Sequence, residues 1–212
     1  MTHGVAITHV PGTRDRMLEG LVAALGQATI VVNDHARRGC WPTVREAWRT
    51  LIDAGFDHGL VLADDMIPCP DLTAALPVMA AARPGHPVGL YTGRHRLVEM
   101  ARSAGSAWAL TRDGWWGGSF MMPTSLAADW LDWCDLNVTP AYPHDDGRAG
   151  LWSVMTGKWL WRSHSSSWVT WYGPQRLWPG GPPPCARAVG CSWSPTAAGF
   201  PPSSTSPWSA VP

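Results

Sequence analysis

In the stretch 58-HGLVLADDMIPCPDL-72 an apolar run ends abruptly in two adjacent carboxylates, Asp64 and Asp65. A short apolar run bounded by turn residues reads as a buried strand, and the proline-punctuated turn after it leads to Asp71 as the cap of a helix. In an open α/β sheet, ligands bind just outside the carboxyl ends of the strands. Two carboxylates delivered there have the chemistry to hold a hard divalent cation, Mg²⁺ or Mn²⁺, and through it a diphosphate. Acid pairs are also common as solvated loop residues and as helix caps. Three features set this pair apart. It follows its strand without a spacer, it sits on the third strand of an alternating pattern, and a second pair, Asp145-Asp146, lies at another helix start.

Upstream, Val5 to Val10 reads as a first strand and Pro11-Gly12 as a turn. Thr13 is placed to cap a helix with Met17, Leu18, Leu21, Val22 and Leu25 on one face, ended by Gly26. Ala28 to Val32 is a second strand running into Asn33-Asp34-His35. Thr43-x-x-Glu46 has the form of a capping box, and behind it Val44, Ala47, Trp48, Leu51 and Ile52 repeat at helical spacing.

Downstream, Leu72, Leu76, Met79 and Ala80 share a helical face that Pro77 is expected to kink or shorten. Val88 to Tyr91 is a fourth strand, Arg94 to Ser103 a helix, and Ala107 to Thr111 a strand. Trp115 to Met122 is a loop entering a strand, and Leu126 to Cys134 a helix capped by Ser125. Asp145 or Asp146 opens a helix through Leu151, Trp152 and Met155. Lys158 to Trp161 is the last strand. Strands alternating with helices predict an α/β sheet with helices on its faces.

The 212 residues carry no formal net charge, yet all 16 acidic residues fall in 1–146 while 147–212 hold five basic residues and no acid. Five charges scattered among Pro, Trp and Ser are a weak basis for a nucleic-acid or membrane tail. The five Cys have irregular spacings and no CxxC pair, which suggests neither a zinc site nor a disulfide framework. No apolar stretch is long enough to span a bilayer and no signal peptide is visible, so a cytoplasmic protein is expected.

The chain therefore divides into a domain over 1–164 and a Pro/Ser/Trp-rich tail over 165–212, expected to be disordered on composition. Asp, Glu, Ile and Asn are all absent after Asp146. That bias, with the surplus of Trp, is what an off-frame translation of a GC-rich gene would give; resequencing the gene checks it.

Other residues carry weaker signals. Arg14 follows strand one and Asp34 follows strand two, where a nucleotide base and ribose would be read. Trp115 and Trp116 offer rings for a sugar or acceptor, although Trp pairs are more often core. Gly117 and Gly118 permit close backbone approach to a ligand. Asp145 and Asp146 are stabilised at a helix N-terminus by the dipole and backbone N–H groups, or serve as a base if they reach a hydroxyl. His144 and His164 are candidate metal ligands.

With these motifs in order, the chain resembles a GT-A-type glycosyltransferase, closest to small forms from bacteriophage and bacterial genomes. The resemblance covers Val5 to His164. It implies a Rossmann-like GT-A mixed sheet flanked by helices. It also implies a nucleotide-sugar donor, a UDP-sugar first, and a hydroxyl acceptor: a glycan, a protein or a modified nucleobase. In that superfamily a strand ending in a DxD-like or EDD-like motif binds the metal and the donor; here Ala63 stands where many relatives keep a first acid. The resemblance implies Asp65, Asp64 and His164 as metal ligands for Mn²⁺ or Mg²⁺, and Arg14, Asp34, Gly117 and Gly118 on the donor. It implies Trp115 and Trp116 in the sugar or acceptor pocket, and Asp146 or Asp145 as general base. Two rivals remain. A nucleotidyltransferase would carry a Gly-rich basic loop after strand one, where this chain has Pro11-Gly-Thr-Arg-Asp15. A degenerate, non-enzymatic relative is the other. Donor sugar, stereochemistry and oligomeric state are not legible.

Overall fold

The computed structural model describes residues 1–26, 29–69, 71–91, 103, 108–111, 119–158, 160–163 and 169–171. In chain order the elements are β1 (His3–His9), α1 (Asp15–Leu25), β2 (Ile30–Asn33), α2 (Cys40–Asp53), β3 (His58–Ala63), β4 (Met66–Pro68), α3 (Leu72–Ala82), β5 (Val88–Gly89), β6 (Trp108–Thr111), β7 (Ser119–Pro123), α4 (Thr124–Asn137), α5 (Asp145–Thr156), β8 (Leu160–Ser163) and β9 (Val169–Trp171).

Seven strands form one mixed sheet in the order β2-β1-β3-β7-β5-β8-β6. β1 runs parallel to both β2 and β3, whereas β7 is antiparallel to β3 and to β5. The chain passes from β1 to β2 on one side, then returns through α2 to β3 on the other side of β1. The strand order thus reverses between β1 and β3, which makes their carboxyl ends the topological switch point.

Helices cover both faces. α1 and α3 pack with Ile7, Leu60, Leu62 and Met121 on one face; α2, α4 and α5 pack with Ala6, Val61, Phe120 and Met122 on the other. Alternate residues of a strand serve opposite faces, so a strand covered on both sides reads as a continuous apolar run. That is why Gly59 to Leu62 are all buried. The second face is aromatic. Trp48 stacks on Phe120 at 5.8 Å between centroids, and Trp130 meets Trp41, Trp48 and Phe120 edge-on. Gly59 leaves room for Trp48: a Cβ there would stand 2.7 Å from Trp48 Cζ3 and 2.9 Å from Leu51 Cδ1.

Several local expectations are revised. α2 starts at Cys40 rather than at a Thr43 cap, and Thr43 Oγ1 donates back to the Gly39 carbonyl at 2.9 Å. Glu46 does not close a capping box; its carboxylate takes Arg38 Nη2 at 2.6 Å. Pro77 lies inside α3 without ending it, and α4 begins at Thr124, one residue before the expected Ser125 cap. Asp71 holds the N-cap position of α3 with no side-chain cap bond. The turn after Asp65 contains a strand, β4, paired antiparallel with β9. Val169–Trp171, assigned to the tail by composition, therefore returns to the residues just after the acid pair. The Arg94 to Ser103 helix and the other residues of the tail fall outside the described residues, Ser103 excepted. Among the described residues, no helix is long and apolar enough to cross a membrane.

Candidate functional site at the switch point

β1 and β3 deliver polar side chains side by side at their carboxyl ends. The backbone sets this up: Asp64 N–H donates to the Thr8 carbonyl at 3.1 Å, and Asp34 N–H to the His9 carbonyl at 2.7 Å. Asp64 has the strand parity of Leu60 and Leu62 and so faces α1. There its Oδ2 meets His9 Nδ1 at 2.7 Å, and its Oδ1 accepts from Arg14 Nη1, also at 2.7 Å. The same Arg14 nitrogen lies 3.4 Å from Asp65 Oδ2. His9 Nε2 meets Asp15 Oδ1 at 2.9 Å, and that oxygen also accepts the Gly12 N–H. His9 thus bridges two carboxylates, one at each ring nitrogen. The result is a continuous chain of polar contacts, Asp15–His9–Asp64–Arg14–Asp65. Asp64 is buried while Arg14 is half exposed. The bond to Asp64 holds the Arg14 proton more tightly than in a free guanidinium.

This geometry separates the two acids. Both Asp64 oxygens are committed, one to His9 and one to Arg14. Among the described residues no group of three or more His, Cys, Asp or Glu is placed to hold a metal ion. An ion at the acid pair would rest on Asp65 and on ligand oxygens. That donor set fits Mg²⁺, which is usually bound by one or two carboxylates plus substrate phosphates and water.

Asp34 does a different job from the one expected. Its carboxylate accepts the Arg38 N–H at 2.9 Å, the Gly39 N–H at 3.0 Å and Arg38 Nε at 3.1 Å. Burial pushes its carboxyl up, but these donors outweigh burial and hold it below the usual carboxylate range. Asp34 thereby fixes the loop into α2 and the start of that helix, with its oxygens turned to protein rather than to a ribose.

The second acid pair lies beside the α2 N-terminus, hence on the same sheet edge. Trp41 N–H donates to the Pro143 carbonyl, and Cys40 Sγ to Asp145 Oδ1 at 3.0 Å. Asp145 is 4% exposed, and its Oδ2 is buried without a hydrogen-bond partner. Burial pushes the Asp145 carboxyl up; the Cys40 bond opposes this and the Asp146 charge adds to it. Cys40 is exposed as a residue, yet desolvation of its thiol and the Asp145 charge push that thiol well up. Asp146 is partly exposed, and its Oδ1 accepts the Gly147 N–H at 2.7 Å. Arg148 holds the approach to the pair: it donates to the Thr139 and Tyr142 carbonyls and lies 4.4 Å over the Trp41 ring.

Trp115, Trp116, Gly117, Gly118 and His164 lie outside the described residues. Ser119, which follows Gly118, pairs in register with Leu62, two residues before Asp64, and buries its hydroxyl without a partner. Reasoning from sequence missed His9, Cys40 and Arg148. His9 had a usable signal, a titratable residue at the carboxyl end of the first strand. Cys40 and Arg148 had none, because their roles depend on contacts made across the fold.

The fold and site define a mixed α/β protein with a charged cluster at the switch point of its sheet. Comparison with known proteins finds no matching family model and no matching curated protein.

Proposed function

We propose that the chain is a GT-A-type glycosyltransferase that moves a sugar from a nucleotide-sugar donor, first a UDP-sugar, to a hydroxyl acceptor with Mn²⁺ or Mg²⁺. One observation carries the reading: acids from two distant stretches, Asp64-Asp65 and Asp145-Asp146, share the carboxyl edge of one sheet whose strand order reverses there.

In this reading Asp65 holds the ion, which when bound supplies positive charge to the donor diphosphate. Asp64 holds Arg14 and His9 in place. A carboxylate of the second pair takes the proton from the acceptor hydroxyl. The acceptor oxygen bonds to the anomeric carbon while the bond from that carbon to the phosphate oxygen breaks, and the diphosphate leaves with the electron pair. Burial raises the Asp145 carboxyl and so strengthens it as a base, while Asp146 is the more exposed of the two.

Calorimetric titration of UDP-sugars and other nucleotide sugars, with and without Mn²⁺, tests this on wild type and Asp65→Ala. Metal-dependent binding that disappears in the variant is expected. No binding by folded wild type refutes the reading and leaves a non-enzymatic relative.

A further inference from the structure

We propose that Arg14 is an oxyanion-binding residue: its Nε–Nη2 edge takes a phosphate or diphosphate group without help from a divalent cation. Arg14 was placed above, on sequence grounds, where a base or ribose would be read. The geometry points elsewhere.

Arg14 has five N–H donors, and the bonds it makes all use Nη1: 2.7 Å to Asp64 and 3.4 Å to Asp65. Its Nε and Nη2 have no protein partner among the described residues. These two nitrogens form the side-on fork that matches two oxygens of a phosphate. The side chain is 48% exposed, so it is accessible to solvent at the switch point.

The clamp on Nη1 makes the fork more than a surface arginine. Asp64 is itself pinned on its far side by His9, and His9 by Asp15. Three successive contacts hold Nη1 before any ligand arrives, which lowers the cost of ordering a long side chain on binding. Arg14 also holds the N-cap position of α1, an eleven-residue helix whose dipole favours an anion at that end. Carboxylates oppose: Asp64 and Asp65 lie 2.7 and 3.4 Å from Nη1 and Asp15 is the next residue, and their charge weakens a bound oxyanion when no cation is present. This gives a prediction of unusual sign, since removing an acid of the candidate active site should tighten metal-free binding. The inference rests on the glycosyltransferase reading only in taking the oxyanion to be the donor diphosphate.

Inorganic pyrophosphate, titrated calorimetrically in EDTA, is the probe. Wild type should bind it. Arg14→Lys, which keeps the charge but loses the fork, should bind roughly tenfold more weakly. Asp65→Asn should bind several-fold more tightly. As a measurement on unaltered protein, the Arg14 Nε–H resonance should shift during the titration. No pyrophosphate binding by folded wild type, an Arg14→Lys affinity equal to wild type, or an unmoved Nε–H resonance each overturns the proposal. Pyrophosphate bound through Arg14 with no nucleotide sugar bound would refute the transferase reading and leave the oxyanion site standing. Metal-dependent nucleotide-sugar binding with no pyrophosphate in EDTA would do the reverse.

Discussion

Replacing Arg148 by Ala should unfasten the loop that carries the chain into Asp145-Asp146. Arg148 is 1% exposed, and its Nη2 reaches the Thr139 carbonyl at 2.8 Å and the Tyr142 carbonyl at 2.7 Å. Neither Thr139 nor Tyr142 is fully buried, so water can replace part of what they lose. The lower end of the range for an orphaned acceptor then applies, ~1 kcal/mol for each carbonyl. The guanidinium over Trp41 is desolvated, and a cation–π contact of that kind contributes ~1–2 kcal/mol. The space left against Trp41 brings the loss to ~3–5 kcal/mol. For a chain of this size that lowers the melting temperature by roughly 6–20 °C. Thermal and urea unfolding followed by circular dichroism measure it. Arg148→Lys should fall between, because an ammonium keeps a donor but cannot span both carbonyls and stack. An Arg148→Ala protein within ~1 kcal/mol of wild type would refute the assignment of Arg148 as the fastening of this loop.

Three further outcomes are expected. Gly59→Ala drives a methyl group into Trp48 and Leu51 and should cost ~1–3 kcal/mol, with a shift in Trp fluorescence; a melt like wild type would show that the aromatic face yields easily. Burial lowers His3 and His58 below their ordinary value of 6.5, so below that pH the unfolded chain takes up more protons than the folded one. Stability should be full above 6.5 and fall as pH drops below it. Urea midpoints between about pH 7.5 and 5.5 read this, and the drop should shrink in His58→Leu; a flat wild-type profile would contradict it. Asp145 has the opposite sign. Its raised carboxyl binds its proton more tightly in the folded state, so its contribution is greatest at low pH and is lost as pH rises through the folded value. Asp145→Asn cannot ionise and should be at least as stable as wild type at pH 7 while losing the proposed transfer; a less stable variant would refute the burial argument.

The parts of the fold legible in sequence were those set by local periodicity. β1, β3, α2 and α3 lie close to where apolar spacing places them, because each buries its face against the sheet in the period that defines it. The start of α2 was misread because Asp34, four and five residues upstream, receives the Arg38 and Gly39 N–H groups and fixes the loop so that the helix begins at Cys40. β9 was misread for a different reason. A short strand needs only a free edge, and β4 offers one to a segment whose composition argues for a solvated tail. The acid pair was legible as a location but not as two different residues.

That last distinction follows from strand geometry and bears on any chemistry the site performs. Both acids reach Arg14 Nη1, Asp64 at 2.7 Å and Asp65 at 3.4 Å, but only Asp64 also meets His9. Asp64 keeps the parity of Leu62, so it turns toward α1 and is consumed by His9 and Arg14. A buried carboxylate without such partners would be costly, so the first acid of the pair needs those two residues as much as they need it. The second acid, just past the strand end, is buried as well, its side chain 12% exposed against 4% for Asp64. A pair of identical residues thus divides: both Asp64 oxygens are taken by His9 and Arg14, while Asp65 meets the same Arg14 nitrogen at the longer distance. Asp64→Asn and Asp65→Asn should accordingly differ in kind: the first should loosen His9 and Arg14 and lower stability, while the second should leave the fold intact and change what the site binds.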